Sequence, residues 1–343
     1  MTTQCPPAVL NDRLAKLFAP IATELATAES RLRSELQHRE PFINELAQHS
    51  FRMSGKRLRP ALLLLSASAC GEVNEAHRTL APVVEMVHTA TLVHDDILDE
   101  AVVRRHADTV NARWDNQTSV LLGDYLFTHA FYLASSLDTP LGCRIIGRAT
   151  NRVCEGELLQ TASSGDFHLS RDSYLHIIDA KTAALCACAC ELGAQFADVD
   201  NKTVAAFEAY GTNLGIAFQI ADDLLDIVGE EQAAGKSLGT DLTHCKMTLP
   251  LIELRDRLAP SERNELQTLC EQPTQENLVR IRDWLEDSGS LARARQTAID
   301  YAGQAVEQIK DLCPSTGDNG TAQRHQAHQS LVELANFVIN RSA

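Results

Sequence analysis

The sequence predicts an all-α protein, a single helical domain over residues 1–343, and three observations carry that expectation. Apolar residues recur at helical steps: Phe207, Tyr210, Leu214, Ala217, Ala221, Leu224 and Val228 follow one another at intervals of three or four, as on a long helix with one buried face. Prolines fall where helices should start or stop, at Pro41, Pro60, Pro82, Pro140, Pro250 and Pro260, because proline lacks the amide hydrogen a helix interior needs. No alternation of apolar and polar residues persists, as a half-buried strand would require.

Along the chain, the first 25 residues are expected to be loosely ordered. The opening MTTQCPPAVLNDRLAKLF lacks a basic stretch followed by an apolar run, so no secretory signal is expected there. The apolar run Ala61 to Ala69 contains serines, and no segment approaches the roughly 18 apolar residues of a membrane span. Val83 to Leu98 is apolar nearly all round, as befits a helix at the centre of a bundle. Breaks are predicted at Cys70 to Asn74, Asp138 to Leu141, Ser163 to Asp166 and Gly229 to Asp241, with a last loop from Pro314 to Gly320 before a C-terminal helix. None resembles an interdomain linker. No solenoid repeat is present, and the only biased tract is the short run Cys186-Ala187-Cys188-Ala189-Cys190.

Composition narrows the functional classes. A hydrophobic content of 44% with 22% charged residues is that of a globular chain with a packed core. The formal charge of -15, without a basic run or stripe, argues against a sequence-independent nucleic-acid binder. Ten cysteines scattered through so long a chain fall well short of a disulfide scaffold, so reduced thiols and a cytoplasmic location are expected. Cys186 and Cys190 share a helix face, but no fourth ligand accompanies them, which disfavours zinc.

Chemistry concentrates in two acidic clusters. His94-Asp95-Asp96-Ile97-Leu98-Asp99-Glu100 places Asp95 and Asp99 one turn apart on an apolar helix, with Asp96 beside them. The pattern returns as Asp222-Asp223-Leu224-Leu225-Asp226. Carboxylates crowded on an apolar helix repel one another and lose hydration, so a compensating cation is expected. Donor sets made of carboxylate oxygen suit a hard ion such as Mg2+, which typically keeps waters and shares substrate phosphates. Such clusters could clamp a diphosphate; a pair of acid and base carboxylates, as in glycosidases, explains neither the triplets nor the cations.

The cations are Gly55-Lys56-Arg57-Leu58-Arg59-Pro60, Arg104-Arg105, Lys181 beside Thr182, and Lys236 and Lys246 around the Gly-rich segment Gly235 to Asp241. Arginine suits forked contacts to phosphate. Helical spacing also aligns Gln219 with Asp222, Asp223 and Asp226, and His88 and Thr91 with Asp95 and Asp99.

From about Gly55 to Pro250 the chain resembles the trans-prenyl diphosphate synthases, and His88-Thr89-Ala90-Thr91-Leu92-Val93-His94-Asp95-Asp96 is most similar to long-chain members that make quinone side chains. The resemblance implies a helical bundle of the isoprenoid synthase type with a deep central pocket, usually a homodimer. It implies metal binding by Asp95, Asp99 and Asp222, with Asp96, Asp223 and Asp226 completing the motifs, and about three Mg2+ per site, Mn2+ being a possible substitute. Gly55, Lys56, Arg59, His88 and Arg105 match the isopentenyl diphosphate site. Arg104, Lys181, Thr182, Gln219, Lys236 and Lys246 match positions that hold the allylic diphosphate or face its reacting carbon. Departures from the family pattern are Cys245 in place of a common Gly and Met247 in place of a common Pro or Thr.

The implied reaction is ionisation of an allylic diphosphate, attack by the isopentenyl double bond and loss of a proton to the departing diphosphate, with Gly229 to Lys246 as a lid. Ala90 and Thr91 stand where short-chain relatives carry bulky aromatics. Thr91 also lies one turn before Asp95, so the floor below the metal cluster should be open, and the resemblance implies a product of about seven to ten isoprene units (C35–C50), with release aided by membrane or detergent. A farnesyl- or geranylgeranyl-length product is the alternative. A terpene cyclase would carry a different second metal motif and no GKRLRP, and a non-catalytic regulatory subunit would typically have lost aspartates that are all present here.

Overall fold

A computed structural model describes residues 7–53, 55, 57–105, 107–228, 240–244, 246–312 and 319–340. In chain order its helices are α1 (Pro7–Leu17), α2 (Ala22–Glu35), α3 (Pro41–Met53), α4 (Leu58–Cys70), α5 (Glu75–Leu98), α6 (Val110–Arg113), α7 (Asn116–Ala134), α8 (Leu141–Ala162) and α9 (Arg171–Ile178). After a π-helical turn (Asp179–Ala183) come α10 (Ala184–Gln195), α11 (Asn201–Val228), α12 (Thr240–Thr243), α13 (Leu249–Arg255), α14 (Pro260–Glu271), α15 (Gln275–Asp287), α16 (Ser290–Ile309) and α17 (Asn319–Ile339). The strands among the described residues are β1 (Val103–Arg104) and β2 (Ala107–Asp108), an antiparallel pair too short to show as alternation in the sequence.

Helix α10 sits centrally, packed between α4 and α11 and touching α5 and α8. Glycines set how close these neighbours come. A Cβ on Gly193 of α10 would lie 2.3 Å from the Leu63 carbonyl of α4, one on Gly211 of α11 2.6 Å from the Cys186 carbonyl, and one on Gly215 2.5 Å from Ala183 Cα. Backbones so close leave room only for small side chains, which accounts for the alternating Ala and Cys of α10. Cys186, Cys188 and Cys190 are buried free thiols, and burial pushes each thiol up, so they pack as small apolar groups.

Pro60 to Cys70 of α4 are all buried, and α17 covers this helix. Arg324 of α17 donates to the Cys70 carbonyl at 2.6 Å, satisfying one of the acceptors that a helix end leaves open. Leu14, Leu17, Phe18 and Ile21 are buried near the start of the chain, so this part of the first 25 residues is anchored on the bundle.

Pro82 departs from the expectation that prolines mark helix ends, because it lies inside α5. The start of α5 is fixed upstream instead: Asn74 accepts from the amides of Ala76 and His77, and His77 Nδ1 accepts from the Asn74 amide at 3.0 Å. His77 Nε2 then donates to the Gly193 carbonyl at 3.0 Å, tying α5 to α10. With its N-terminus secured twice, α5 tolerates one missing amide donor.

Two apolar clusters make up the interior. The larger unites α4, α5, α10 and α17; the smaller surrounds Tyr174, Ile220, Leu224, Leu249, Ile281 and Leu285. Tyr301 and Ile339 pack against both, joining them into one domain.

Gly211→Ala is expected to destabilise the protein by about 1–3 kcal/mol, since its Cβ would meet backbone that cannot rotate away. Gly303→Ala on α16, with nothing within 4 Å of the added Cβ, should be neutral or stabilising by up to about 1 kcal/mol. Urea midpoints of the two variants measure the difference.

Candidate active site

Asp95, Asp96 and Asp99 occupy the C-terminal end of α5. The helix stops at Leu98, Asp99 is its C-cap and Glu100 has φ +50°, so Asp99 and Glu100 are exposed and Leu98 is 64% exposed. The apolar flanks therefore do not bury the whole cluster, as the sequence suggests they should. Asn111 helps close this end by donating to the Asp96 and Ala101 carbonyls. Carboxylates here meet the negative pole of the helix as well as one another.

The three aspartates face different surroundings. Asp96 is 1% exposed and accepts from Arg104 Nε at 2.7 Å, while burial pushes its carboxyl up against the pull of Arg104. Asp95 is half-buried; burial raises its carboxyl to about 7, with Lys181 opposing the shift and Glu157 and Asp99 adding to it. Among the described residues neither Asp95 nor Asp99 has a side-chain hydrogen bond or close ion pair.

Beside this cluster lies a basic group around His88. Burial, then the cations Arg59, Arg105, Arg104 and Arg57, hold the imidazole well below its ordinary range, so it is neutral. Arg57 adopts φ +54° at the N-cap of α4 and donates to the buried Glu85 at 2.8 Å. Arg105 has φ +52° in the β1–β2 turn, and its guanidinium reaches the position a Cβ on Gly55 would take, 2.1 Å away. Glycine at 55 therefore admits Arg105 into the group. The buried Nε atoms of Arg57 and Arg59 have no hydrogen-bond partner among the described residues.

The opposite wall comes from α11 and the π turn. Thr182 Oγ1 donates to Gln219 Oε1 at 2.8 Å, and Gln219 Nε2 donates to Asp223 Oδ1 at 2.8 Å. The buried Tyr174 of α9 donates to Asp223 Oδ2 at 2.5 Å. Burial and Asp241 push Asp223 up to about 7, against Lys246, Tyr174 and Gln219. Asp226, 2% exposed, accepts from the Asp241 amide at 3.0 Å. The π turn itself is clamped by α8: Arg152 donates to Asp179 at 2.6 Å, Glu157 pairs with Lys181 at 2.7 Å, and Gly156 lets the backbones meet, a Cβ there lying 2.4 Å from the Lys181 amide nitrogen.

Shared electrostatic neighbours bring the two aspartate clusters to one cleft. Loss of hydration would lower Lys246, but Asp241, Asp223 and Asp99 outweigh it and raise the amine. Burial and Arg104 lower Arg105, whose acidic neighbours are Glu85 and Asp222. Ala90 is 1% exposed within the core and Thr91 is half-buried, its hydroxyl donating to the His88 carbonyl. Lys56, Lys236 and most of the segment Gly229 to Lys246 lie outside the described residues.

Among the described residues no three His, Cys, Asp or Glu side chains converge into a self-contained metal cage. The donors fit Mg2+ all the same: they are carboxylate oxygens only, Asp96 Oδ2 is buried without a hydrogen-bond partner among the described residues, and this ion commonly completes its shell with water and phosphate. Glu85, Glu157 and Tyr174 are the contacts of the site that sequence reasoning missed. Glu157 follows Gly156 and precedes Gln160 on α8, a weak signal; Tyr174, seven residues before Lys181, gives none.

A profile of the Polyprenyl synthetase family matches residues 40–285. The chain is 32% identical to the octaprenyl diphosphate synthase of Escherichia coli over 96% of its own length and 99% of that protein's. It is also 32% identical to an all-trans-nonaprenyl-diphosphate synthase of Rhodobacter capsulatus, over 95% and 97% of the two chains. Its fold is similar to the polyprenyl synthase of Caulobacter crescentus solved with calcium and isoprenyl diphosphate, with a TM-score of 0.87 at 36% identity over 96% and 98% of the chains. The decaprenyl diphosphate synthase of Rhodobacter capsulatus gives 0.87 at 34% identity over 97% and 99%. With a family profile matched over residues 40–285 and relatives 32% identical over nearly their whole length, the chain belongs to the polyprenyl synthetase family.

Proposed function

We propose that this chain is an all-trans polyprenyl diphosphate synthase, a prenyltransferase that adds isopentenyl units to an allylic diphosphate and forms a long-chain product of quinone side-chain length. The observation that carries the reading is the convergence of carboxylates from α5 and α11 with cations from α4, the β1–β2 turn and the π turn in one cleft. Relatives of octaprenyl to decaprenyl specificity support the product class.

Asp95, Asp99 and Asp222 would hold Mg2+, with Asp96, Asp223 and Asp226 fixing the motifs from behind. When bound, the ions supply Lewis-acid stabilisation of the diphosphate leaving group. Gly55, Lys56, Arg59, His88 and Arg105 bind isopentenyl diphosphate; neutral His88 is suited to a directed hydrogen bond. Arg104, Lys181, Lys236 and Lys246 hold the allylic diphosphate.

As the allylic C–O bond breaks, its electron pair leaves with the diphosphate. The oxygens of Gln219 and Thr182 face the allylic carbon and stabilise its positive charge. The isopentenyl double bond attacks that carbon, and a proton lost from the new adduct passes to the released diphosphate, restoring a trans alkene. The segment Gly229 to Lys246 would cover the cleft and exclude water. A homodimer fits the exposed Leu121 and Tyr132 on one face of α7, which a second copy would cover. Incubation with Mg2+, labelled isopentenyl diphosphate and farnesyl diphosphate, followed by sizing of the products, tests the activity; no elongation would overturn it.

Asp95→Ala and Asp222→Ala should each lower kcat about a hundredfold or more while the helical circular dichroism is retained. Near wild-type rates in either folded variant would refute the two-cluster site.

Arg59→Ala should raise KM for isopentenyl diphosphate well above any change for the allylic primer. Gly55→Ala should act in the same sense with little loss of stability, because it displaces only the mobile end of Arg105. Steady-state kinetics with each substrate varied in turn reads both, and equal effects on the two substrates would count against the assignment.

Thr91→Phe should shift products to shorter chains while the first condensation survives. Ala90→Phe should do the same at greater cost in stability, since Ala90 is enclosed in the core. An unchanged product distribution in both active variants would place the length stop elsewhere.

A further inference from the structure

We infer that Tyr174 is a positioning residue for the allylic reaction, acting through Asp223 to fix which end of the Gln219 amide faces the reacting carbon. The inference rests on the proposed synthase activity and goes beyond it to a residue in no aspartate motif and no basic motif. Four side chains form a directed chain. Tyr174 Oη donates to Asp223 Oδ2 at 2.5 Å, Gln219 Nε2 donates to Asp223 Oδ1 at 2.8 Å, and Thr182 Oγ1 donates to Gln219 Oε1 at 2.8 Å.

The amide of glutamine has two chemically opposite ends, and only its partners decide the orientation. Here the Asp223 carboxylate, an acceptor only, decides it, because the Thr182 hydroxyl could serve either end. Asp223 accepts the amide hydrogen, and Thr182 offers a hydrogen to the oxygen. The carbonyl dipole of Gln219 is therefore turned from Asp223 toward Thr182, and a flipped amide would set its NH2 toward a developing cation.

Tyr174 matters because Asp223 sits on the same helix as Gln219, one turn on, and a carboxylate can rotate about its own bond. The Tyr174 hydroxyl holds one oxygen from α9, which leaves the other directed at Gln219. Tyr174 is 4% exposed and Asp223 5% exposed, so water does not readily replace this donor. The ring is fixed by packing: Tyr174, Ile178, Ala183, Ile216, Ile220 and Leu224 belong to one apolar cluster. Helix α9 leads directly into the π turn that carries Thr182, so both supports of Gln219 come from one continuous segment.

A double-mutant cycle tests this, with Tyr174→Phe, Asp223→Asn and the pair together measured against wild type using Mg2+, farnesyl diphosphate and isopentenyl diphosphate. Tyr174→Phe removes one oxygen and keeps the ring, and should lower kcat about tenfold or more while KM for isopentenyl diphosphate stays within about twofold. In the Asp223→Asn background the same change should have little further effect, because its route is already cut. A role in packing alone would lower turnover equally in both backgrounds and overturn the inference, as would unchanged kcat in Tyr174→Phe. Urea unfolding of the four proteins supplies a second cycle: coupling in stability without coupling in kcat would make Tyr174 a structural residue only and equally overturn it. If Tyr174→Phe does not fold, Tyr174→Trp and Asp223→Glu replace the pair in the same cycle, judged by the same criterion. Absence of product from wild type itself would remove the synthase reading and the inference with it, whereas active wild type with an additive cycle removes the inference alone.

Discussion

Like charge held in an apolar helical frame is the constraint on which the site depends. Asp95, Asp99 and Asp222, backed by the buried Asp96, Asp223 and Asp226 and joined by Glu85, Glu157 and Asp241, stand among Arg57, Arg59, Arg104, Arg105, Lys181 and Lys246. Each group costs hydration on burial, and such a cost is met only by a partner with good geometry. The protein supplies most partners from separate elements: α5 to the β1–β2 turn through Asp96 and Arg104, α4 to α5 through Arg57 and Glu85, α8 to the π turn through Glu157 and Lys181. The ion pairs thus bind the walls together as well as preparing them for ligand.

The helical frame was legible in the sequence because it follows from local periodicity. The step of three or four from Phe207 to Leu224 does correspond to a buried face of α11, whereas Val228 at the helix end is 42% exposed, and five of the six highlighted prolines sit just before a helix start or within its first turn. Pro82 was misread because the caps that secure α5, Asn74 and His77, lie well before it, and a capping box has no apolar signature. The bundle interior was legible only in part: Val83 to Leu98 looks uniformly buried, yet its last turn opens to solvent at Leu98 and Asp99. Apolar residues predict burial of a helix better than burial of its ends.

Contacts that join distant parts of the chain were the illegible part of the site. Asp95 and Asp99 align by counting along one helix, whereas Tyr174 meets Asp223 across 49 residues and Arg57 meets Glu85 across 28. Two non-glycine residues at positive φ, Arg57 and Arg105, sit in the basic wall, and nothing in their identity marks that backbone. Strain of this kind is held by surrounding packing, which a single sequence does not display. The alternating Ala and Cys of α10, already disfavoured as a zinc site for want of a fourth ligand, owes its small side chains to three close glycine contacts that the sequence does not display.

The two motifs are alike in sequence but not in surroundings, and the helix explains both the likeness and the difference. The second aspartate of a DDxxD lies about 100° round from the first, so when the first faces the cleft the second turns into the protein. Asp96 turns onto Arg104, and Asp223 onto Tyr174 and Gln219. The fifth position returns nearly to the face of the first. On α5 it arrives where the helix ends, so Asp99 stays exposed beside Asp95. On α11 it arrives beneath α12, where Asp226 accepts the Asp241 amide and is withdrawn from the cleft. One motif therefore presents two carboxylates and the other presents Asp222 alone, an asymmetry that comes from what each helix meets next rather than from the motif itself.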